Sequence, residues 1–303
     1  MIGGLIARYH SRMHAAGTAR IIDGRALADT VRAGLADRIA ALDAEGLPVR
    51  LDAIIVSGNA AGSVYAASQQ RTCSLLGIDY RLHELPETVD AETLHRTIEE
   101  LNADSAVHAI MVHLPLPDGL SVDEVQSSIT PAKDVEGVNP ANIGNVIYGR
   151  RSLVPCTALA TMQLIESTGV ELAGRTVVCV GASRIVGKPV AVLLMQAEAT
   201  VVSTNVHTPD LASFTREADI VVTAAGVPGL LTGDMVKPGA VVVDVGINRV
   251  PDPETGRTRT VGDVDFDSVS AVAGWLSPVP GGVGPMTVAM LLRNTVDAAT
   301  SSG

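Results

Sequence analysis

TVVCVGASRIVGKP (176–189) is the stretch on which the fold turns. TVVCV is short and wholly uncharged, the pattern of a strand buried on both faces, and it runs straight into a glycine-bearing turn. After such a strand the chain must turn sharply and bring backbone amides to the N-terminus of the next helix, a ready-made anion site. Gly181 and Gly187 supply the freedom for that turn, Ser183 can add a hydroxyl donor, Arg184 and Ile185 lie between them, and Pro189 suits a first helical turn. The pattern is a variant of GxGxxG, and alone it reads equally well as a plain strand-to-helix turn. A second glycine-bearing strand end, TAAGVPG (223–229), places Ala225 and Gly226 where a neighbouring loop would flank a dinucleotide.

Working outward, further strands read at 200–204, 219–224 (DIVVTA) and 240–244 (AVVVD), and helical segments separate the first three. A helix is expected near 158–168 and a last one near 286–299, after the glycine-rich PVPGGVGP (278–285). Upstream, LDAIIVSG (51–58), 78–84 and VHAIMVH (107–113) read as strands, with helices at 62–76 and 91–102. The βαβ rhythm implies a Rossmann-type, doubly wound parallel sheet with right-handed crossovers in the C-terminal half, and a second α/β domain before it. A loop rich in Pro, Asp, Gly and Asn, from Pro131 to Gly144, has the composition that α/β proteins place at functional strand ends. Asp244 and Asn248 fall at a strand end on the dinucleotide side, whereas Asp23 and the region from Asn139 to Asn142 read as structural.

Composition narrows the partners. A chain of 303 residues, 47% hydrophobic, buries enough surface to need neither disulfides nor a structural metal. Its three cysteines, Cys73, Cys156 and Cys179, are odd in number and widely spaced, which points to a reducing, cytoplasmic setting and no metal site. A net charge of −11 disfavours nucleic acid and anionic membranes, and no apolar run reaches the roughly 20 residues of a membrane span. Residues 1–20 are basic and lack the apolar run of a secretory signal; they read as an extension, with a transit peptide as the other reading.

PVPGGVGPMT (278–287), DVGIN (244–248), GDVDF (262–266), KDVEGVNP (133–140), HLPLP (113–117), PCT (155–157) and IIDG (21–24) occur together in this chain. This set closely resembles the bifunctional methylenetetrahydrofolate dehydrogenase/cyclohydrolase family over about residues 20–300. The resemblance implies an extension at 1–19, a folate domain of 20–157 plus 286–303, and a Rossmann domain of 158–285 that binds NADP or NAD across a cleft from the folate. It also implies a homodimer. Family members oxidise methylene-tetrahydrofolate by hydride transfer and then hydrolyse the methenyl product. By the same resemblance, Tyr65 lies against the pterin, Leu114, Pro115, Pro280, Gly281, Gly282 and Pro285 line the substrate, and Gly181, Ser183, Arg184, Ile185, Gly187, His207, Ala225, Gly226 and Asn248 hold the cofactor.

The chain departs from the family where the chemistry is densest. In SVYAASQQRTC (63–73) Tyr65 matches the family's tyrosine, but the catalytic lysine four residues later is Gln69. The glutamine that contacts that lysine is replaced by His113, and the aspartate that hydrogen-bonds the pterin by Glu136. Ala158 and Ala160 replace a proline and a glycine. A glutamine amide cannot exchange a proton near neutral pH, so hydrolysis is expected to be weak or absent. Hydride transfer asks mainly for orientation, and an anionic Glu136 beside a neutral Gln69 suits a cationic product. His113 either inherits the proton shuttle or merely orients Gln69. At the end of the second Rossmann strand, STNVHTPD (203–210) has no acid for a ribose diol and only His207 as a cation, which leaves NAD and NADP open. Two other readings are a paralogue serving specialised one-carbon chemistry and a non-catalytic folate- or nucleotide-binding protein.

Overall fold

The computed structural model describes residues 19–58, 60–150, 153–251 and 256–302. The expected extension at 1–19 therefore lies almost wholly outside the described residues. The chain divides into two compact units, one of Ala26–Leu159 with the residues from Met286 onward, the other of Ala160–Pro285 with the described residues up to Arg25.

Strand β1 (Arg20–Ile21) opens the described chain and helix α1 (Gly24–Ala44) follows. The first unit then holds a three-stranded parallel sheet of β2 (Arg50–Val56), β3 (Asp79–Leu85) and β4 (Ala109–Val112), in the order β3-β2-β4. Every residue of β2 and β4 is buried; the two charged residues of β2, Arg50 and Asp52, pair with each other at 2.7 Å. Helix α2 (Ala60–Leu76) joins β2 to β3, and α3 (Ala91–Ala103) joins β3 to β4. Asp90 caps α3 by accepting from the Thr93 amide at 2.8 Å, and Leu94, Ile98 and Leu101 are its buried face. They pack with Ile54, Ile110, Val112, Val125 and Ile129 into the core of this unit.

The strand expected at 107–113 ends at Val112. His113 still donates its amide to Ile54 O at 2.8 Å, but Pro115 and Pro117 cannot extend a ladder, so the chain leaves the sheet there. Helices α4 (Val122–Ser128) and α5 (Pro140–Tyr148) follow. Asn139 caps α5, with Pro140 in its first turn and Gly149 ending it in the left-handed region at φ 67°.

Helix α6 (Cys156–Glu166) precedes the second unit's strands β5 (Thr176–Val180), β6 (Thr200–Thr204), β7 (Ile220–Thr223) and β8 (Val241–Asp244). Helix α7 (Gly187–Gln196) links β5 to β6, and α8 (Leu211–Thr215) links β6 to β7. The hairpin β9 (Asn248–Pro251) and β10 (Thr258–Val261), helix α9 (Phe266–Ser270), strand β11 (Trp275–Leu276) and helix α10 (Val283–Ser302) complete the chain. The six-stranded sheet runs β1-β11-β8-β7-β5-β6 with every pair parallel. Its order reverses at β5, which has β6 on one side and β7 on the other; that switch point is where open α/β sheets bind ligands.

One boundary differs from the expectation. The folate domain was expected to begin at residue 20, yet β1 is an edge strand of the six-stranded sheet. Arg20 and Ile22 donate their amides to Gly274 O and Leu276 O, at 2.9 and 3.0 Å. The last helix also begins at Val283 rather than 286, which puts Pro285 inside its first turn, where no intrahelical amide is needed.

Candidate active site

In the first unit, α2 sets Tyr65, Gln69 and Cys73 at i, i+4 and i+8, one stripe of a helical face. Gln69 is 2% exposed, and among the described residues neither Nε2 nor Oε1 has a hydrogen-bond partner. A buried amide left in that condition is unusual enough to need an explanation. Tyr65 is 41% exposed as a whole. Its hydroxyl end is nonetheless desolvated, and burial followed by the nearby Glu136 pushes its pKa up to about 12. Cys73 is fully buried, and burial raises its thiol to about 12, so it is an unreactive core group.

His113 is buried and stands edge-on to Tyr65, with ring centroids 5.7 Å apart and planes at 78°. Its Nε2 lies 3.4 Å from the Tyr80 hydroxyl, which comes from β3. Burial holds the imidazole below its ordinary pKa, so it is neutral at pH 7. Leu114 and Pro115 continue from it as exposed residues, joined by a cis peptide bond.

The loop 131–139 runs beside β4: Ile110 donates to Lys133 O at 2.8 Å and forms a parallel bridge with Asp134. Asp134 is fully buried; its Oδ2 accepts from the Asn139 amide at 2.7 Å and from Asn142 Nδ2 at 3.0 Å, while Oδ1 has no partner among the described residues. Burial raises its pKa despite those bonds. Glu136, two residues on, is half-buried, and desolvation, then the Asp134 charge, pushes it up to about 7. This corrects the expectation of an anionic Glu136, since near neutrality the carboxyl is divided between its two forms. From α10, Asn294 Nδ2 donates to Val135 O and Val154 O, both at 2.9 Å, and so pins this loop to the PCT segment.

In the second unit, Gly181 follows β5 with φ 101°, and a side chain there would run into the Ala224 carbonyl that follows β7. A side chain on Gly187 would strike the Gly181 carbonyl. The loop is thus drawn against the switch point in the way a backbone cradle for a dinucleotide requires. The Ser183 hydroxyl accepts the Gly187 amide at 3.2 Å, which leaves its O–H free to donate, and its carbonyl accepts Lys188 N. Ser183, Arg184 and Ile185 are the exposed rim of the loop. His207 is exposed in a turn that satisfies itself, its amide donating to Asn205 Oδ1 at 2.9 Å.

Asp263, from the GDVDF segment, was not singled out in the sequence, and it organises three of the residues that were. Its Oδ2 accepts the amides of Ala225 and Gly226 at 2.7 and 3.0 Å, and Oδ1 accepts Asn248 Nδ2 at 2.8 Å. Those two amides are committed to the protein and do not face a ligand. Asp244, at the end of β8, takes Thr223 Oγ1 and the amides of Gly246, Asp263 and Val264, all between 2.9 and 3.0 Å. Gly281 and Gly282 are buried, and Gly282 N donates to Pro278 O at 2.8 Å. A side chain on Gly24 would collide with the Gly282 carbonyl, which accounts for the glycine of the IIDG segment.

The residues expected to line the substrate thus divide between units. Tyr65, Leu114 and Pro115 fall in the first with Gln69, His113 and Glu136; Pro280, Gly281, Gly282 and Pro285 fall in the second with all the residues expected to hold the cofactor. Tyr80, Asp134 and Asn294 had no signal in the sequence beyond their neighbours' motifs.

Comparison with known proteins agrees with this layout. Residues 22–136 match the model of the tetrahydrofolate dehydrogenase/cyclohydrolase catalytic domain, and residues 155–302 that of its NAD(P)-binding domain. The bifunctional protein FolD of Geobacillus kaustophilus (strain HTA426) is 47% identical over 282 residues, covering 93% of this chain and 98% of that protein. Among solved structures, the bifunctional FolD methylenetetrahydrofolate dehydrogenase/cyclohydrolase of Campylobacter jejuni superposes with a TM-score of 0.88 at 42% identity, over 93% of this chain and 99% of that one. The Trypanosoma brucei methylenetetrahydrofolate dehydrogenase-cyclohydrolase, complexed with NADP and an inhibitor, also gives 0.88, at 40% identity over 94% and 98%.

Proposed function

The chain belongs to the tetrahydrofolate dehydrogenase/cyclohydrolase family, and from that premise we propose that it keeps the first of the family's two reactions and has weakened or lost the second. It is an NAD(P)-dependent methylenetetrahydrofolate dehydrogenase that takes a tetrahydrofolate derivative as substrate. The observation that carries the division is Gln69, a buried side chain with no proton to exchange near neutral pH, on the helical face it shares with Tyr65.

Oxidation removes hydride from the methylene carbon, and the flanking nitrogens of the folate spread the resulting positive charge. No side chain has to move a proton. When bound, NAD or NADP supplies the hydride acceptor; Gly181, Ser183, Arg184, Ile185 and Gly187 would hold its phosphates, with Ala225, Gly226, Asn248 and His207 around it. Tyr65 offers the folate an aromatic face, Leu114 and Pro115 an apolar border, and Gln69 a donor and an acceptor for the ring's polar edge. Glu136 is suited to a cationic product: its carboxyl, poised near 7, ionises more readily as positive charge builds beside it.

Hydrolysis makes a different demand. Water must lose a proton as it attacks the methenyl carbon, and a positioned acid–base group contributes roughly 10²- to 10⁴-fold to such a step. Gln69 cannot serve. His113 could in principle, but its ring is buried, has a lowered pKa and is already engaged by Tyr80 and Tyr65. The test is a paired assay on the purified enzyme. Methylene-tetrahydrofolate with NAD or NADP should yield methenyl-tetrahydrofolate that accumulates, and supplied methenyl-tetrahydrofolate should decay at the buffer rate. Prompt enzyme-dependent decay would overturn the second half of the proposal.

We also propose a cytoplasmic homodimer. Three buried free thiols suit a reducing compartment, and the outer edge of β3 is open for a second copy, among the described residues. No helix among the described residues is long and apolar enough to cross a membrane, and the net charge of −11 offers nothing to a nucleic acid. Light scattering of the purified chain decides the mass.

A further inference from the structure

We propose that Tyr80 is a positioning residue for folate recognition: its hydroxyl donates to Nε2 of His113, fixes the imidazole as the Nδ1–H tautomer, and through the His113–Tyr65 ring contact sets the aromatic face presented to the substrate. The proposal rests on the reading above that Tyr65 lies against the folate.

Three side chains from three elements form one chain of contacts. Tyr80 comes from β3, His113 from the end of β4 and Tyr65 from α2. The first link is a hydroxyl 3.4 Å from a ring nitrogen, long for such a bond and able to shorten when the site fills. The second is an edge-on aromatic pair at 5.7 Å. His113 is 4% exposed, so its ring has little freedom except to follow these two neighbours. The strand that bears Tyr80 also packs against α2, the helix whose stripe carries Tyr65, Gln69 and Cys73.

The direction of the bond follows from the chemistry of the pair. Burial raises the Tyr80 hydroxyl and lowers the His113 ring, so both are neutral at pH 7. A neutral imidazole has one N–H and one lone-pair nitrogen. The phenol is the stronger donor, because its oxygen lone pair is drawn into the ring, and the bare imidazole nitrogen is the strongest neutral acceptor present. The hydroxyl therefore donates to Nε2, and the imidazole proton resides on Nδ1. Removing the hydroxyl frees the tautomer and the ring torsion together, and Tyr65 loses the neighbour that fixes its plane.

Tyr80→Phe keeps the ring and so the packing. In ¹⁵N-labelled enzyme without substrate, His113, assigned with His113→Gln among the seven histidines, should show an acceptor-type Nε2 in the wild type. The phenylalanine variant should move toward the Nε2–H form, with a higher ring pKa. KM for methylene-tetrahydrofolate should rise about three- to ten-fold, what one neutral hydrogen bond supports, with the loss falling on KM rather than kcat and KM for NAD(P) unmoved. In a His113→Gln background the same change should add less than about two-fold. Unmoved His113 resonances in Tyr80→Phe, or an undiminished KM penalty in the double variant, would overturn the proposal. The tautomer measurement needs no turnover, so it stands apart from failure of the dehydrogenase reading, which would appear as absence of NAD(P)H formation by the wild type.

Discussion

Replacing Gln69 by methionine should make the ligand-free protein more stable and its folate site worse. Gln69 is 2% exposed, and both polar atoms of its amide lack a partner among the described residues. Folding takes that amide out of water without returning a hydrogen bond, at a cost of about 1–3 kcal/mol. Methionine has the same length and unbranched shape and carries nothing that needs a partner. The substitution should therefore stabilise the protein by about 1–3 kcal/mol, against a usual core substitution that destabilises by about 1. At roughly 2–4 °C per kcal/mol for a domain of this size, the thermal midpoint rises by several degrees. A bound folate should then reverse the order. Ligand that pairs with the amide stabilises the wild type by RT ln(1 + [L]/Kd), and the variant gains less from the same concentration. Denaturant midpoints with and without folate, measured on both proteins, give the two halves separately. A variant destabilised by about 1 kcal/mol or more without ligand, or one that binds folate like the wild type, would refute the reasoning.

Gln69→Lys restores a titratable group and should raise methenyl-tetrahydrofolate hydrolysis by about 10²-fold or more, followed as loss of methenyl absorbance. Glu136, held at about 7 against an ordinary 4.5, keeps its proton longer in the folded chain than in the unfolded one. Stability is therefore greatest at low pH and is lost as pH rises from about 4.5 to 7, by at most about 3 kcal/mol and nearer 1–2 for a half-buried carboxyl that can reach water; Glu136→Gln should flatten that slope in urea midpoints taken between pH 5 and 8. Asp263→Asn keeps the shape of the side chain but turns an acceptor into a donor beside the Ala225 and Gly226 amides. It should weaken NAD(P) binding by about ten-fold and leave folate binding in place, as isothermal titration with each ligand would report.

The sequence announces the parts of this fold that are buried on both sides. TVVCV coincides with β5, because an inner strand must be apolar throughout and ends abruptly at its glycine turn; 200–204 coincides with β6, a half-exposed edge strand marked by its Val201–Val202 pair and flanking threonines rather than by burial. The two-residue strands β1 and β11 are invisible by comparison, since two residues carry no period; only pairing shows that Arg20–Ile21 belongs to the large sheet. Helix α1 and the β9–β10 hairpin carry no sequence signal as distinct as that of β5. In the site, Tyr65, Gln69, His113 and Glu136 were legible as departures from or matches to a family pattern. Tyr80 was not, because a tyrosine in an edge strand looks like ordinary β-propensity until its hydroxyl is seen beside His113. Asp263 hid for a similar reason: a carboxylate that serves backbone amides leaves no spacing to detect.

The polar side chains of the two units differ in a way that bears on which groups meet the substrate. In the nucleotide-binding unit the buried carboxylates are spent on their own loops, four donors converging on Asp244 and three on Asp263. That unit offers a ligand shape and backbone, which suits a cofactor recognised by its phosphates. Among the described residues, the buried side-chain atoms without a partner are Gln69 Nε2, Gln69 Oε1 and Asp134 Oδ1, and all belong to the other unit. Groups left unpaired at a cost in stability are most simply explained as partners of something that binds. A pterin edge, with donors and acceptors alternating around one ring system, is of the right kind to satisfy an amide. On the function proposed above, Gln69 would then meet the substrate as a hydrogen-bonding partner, a part that asks no proton transfer of it.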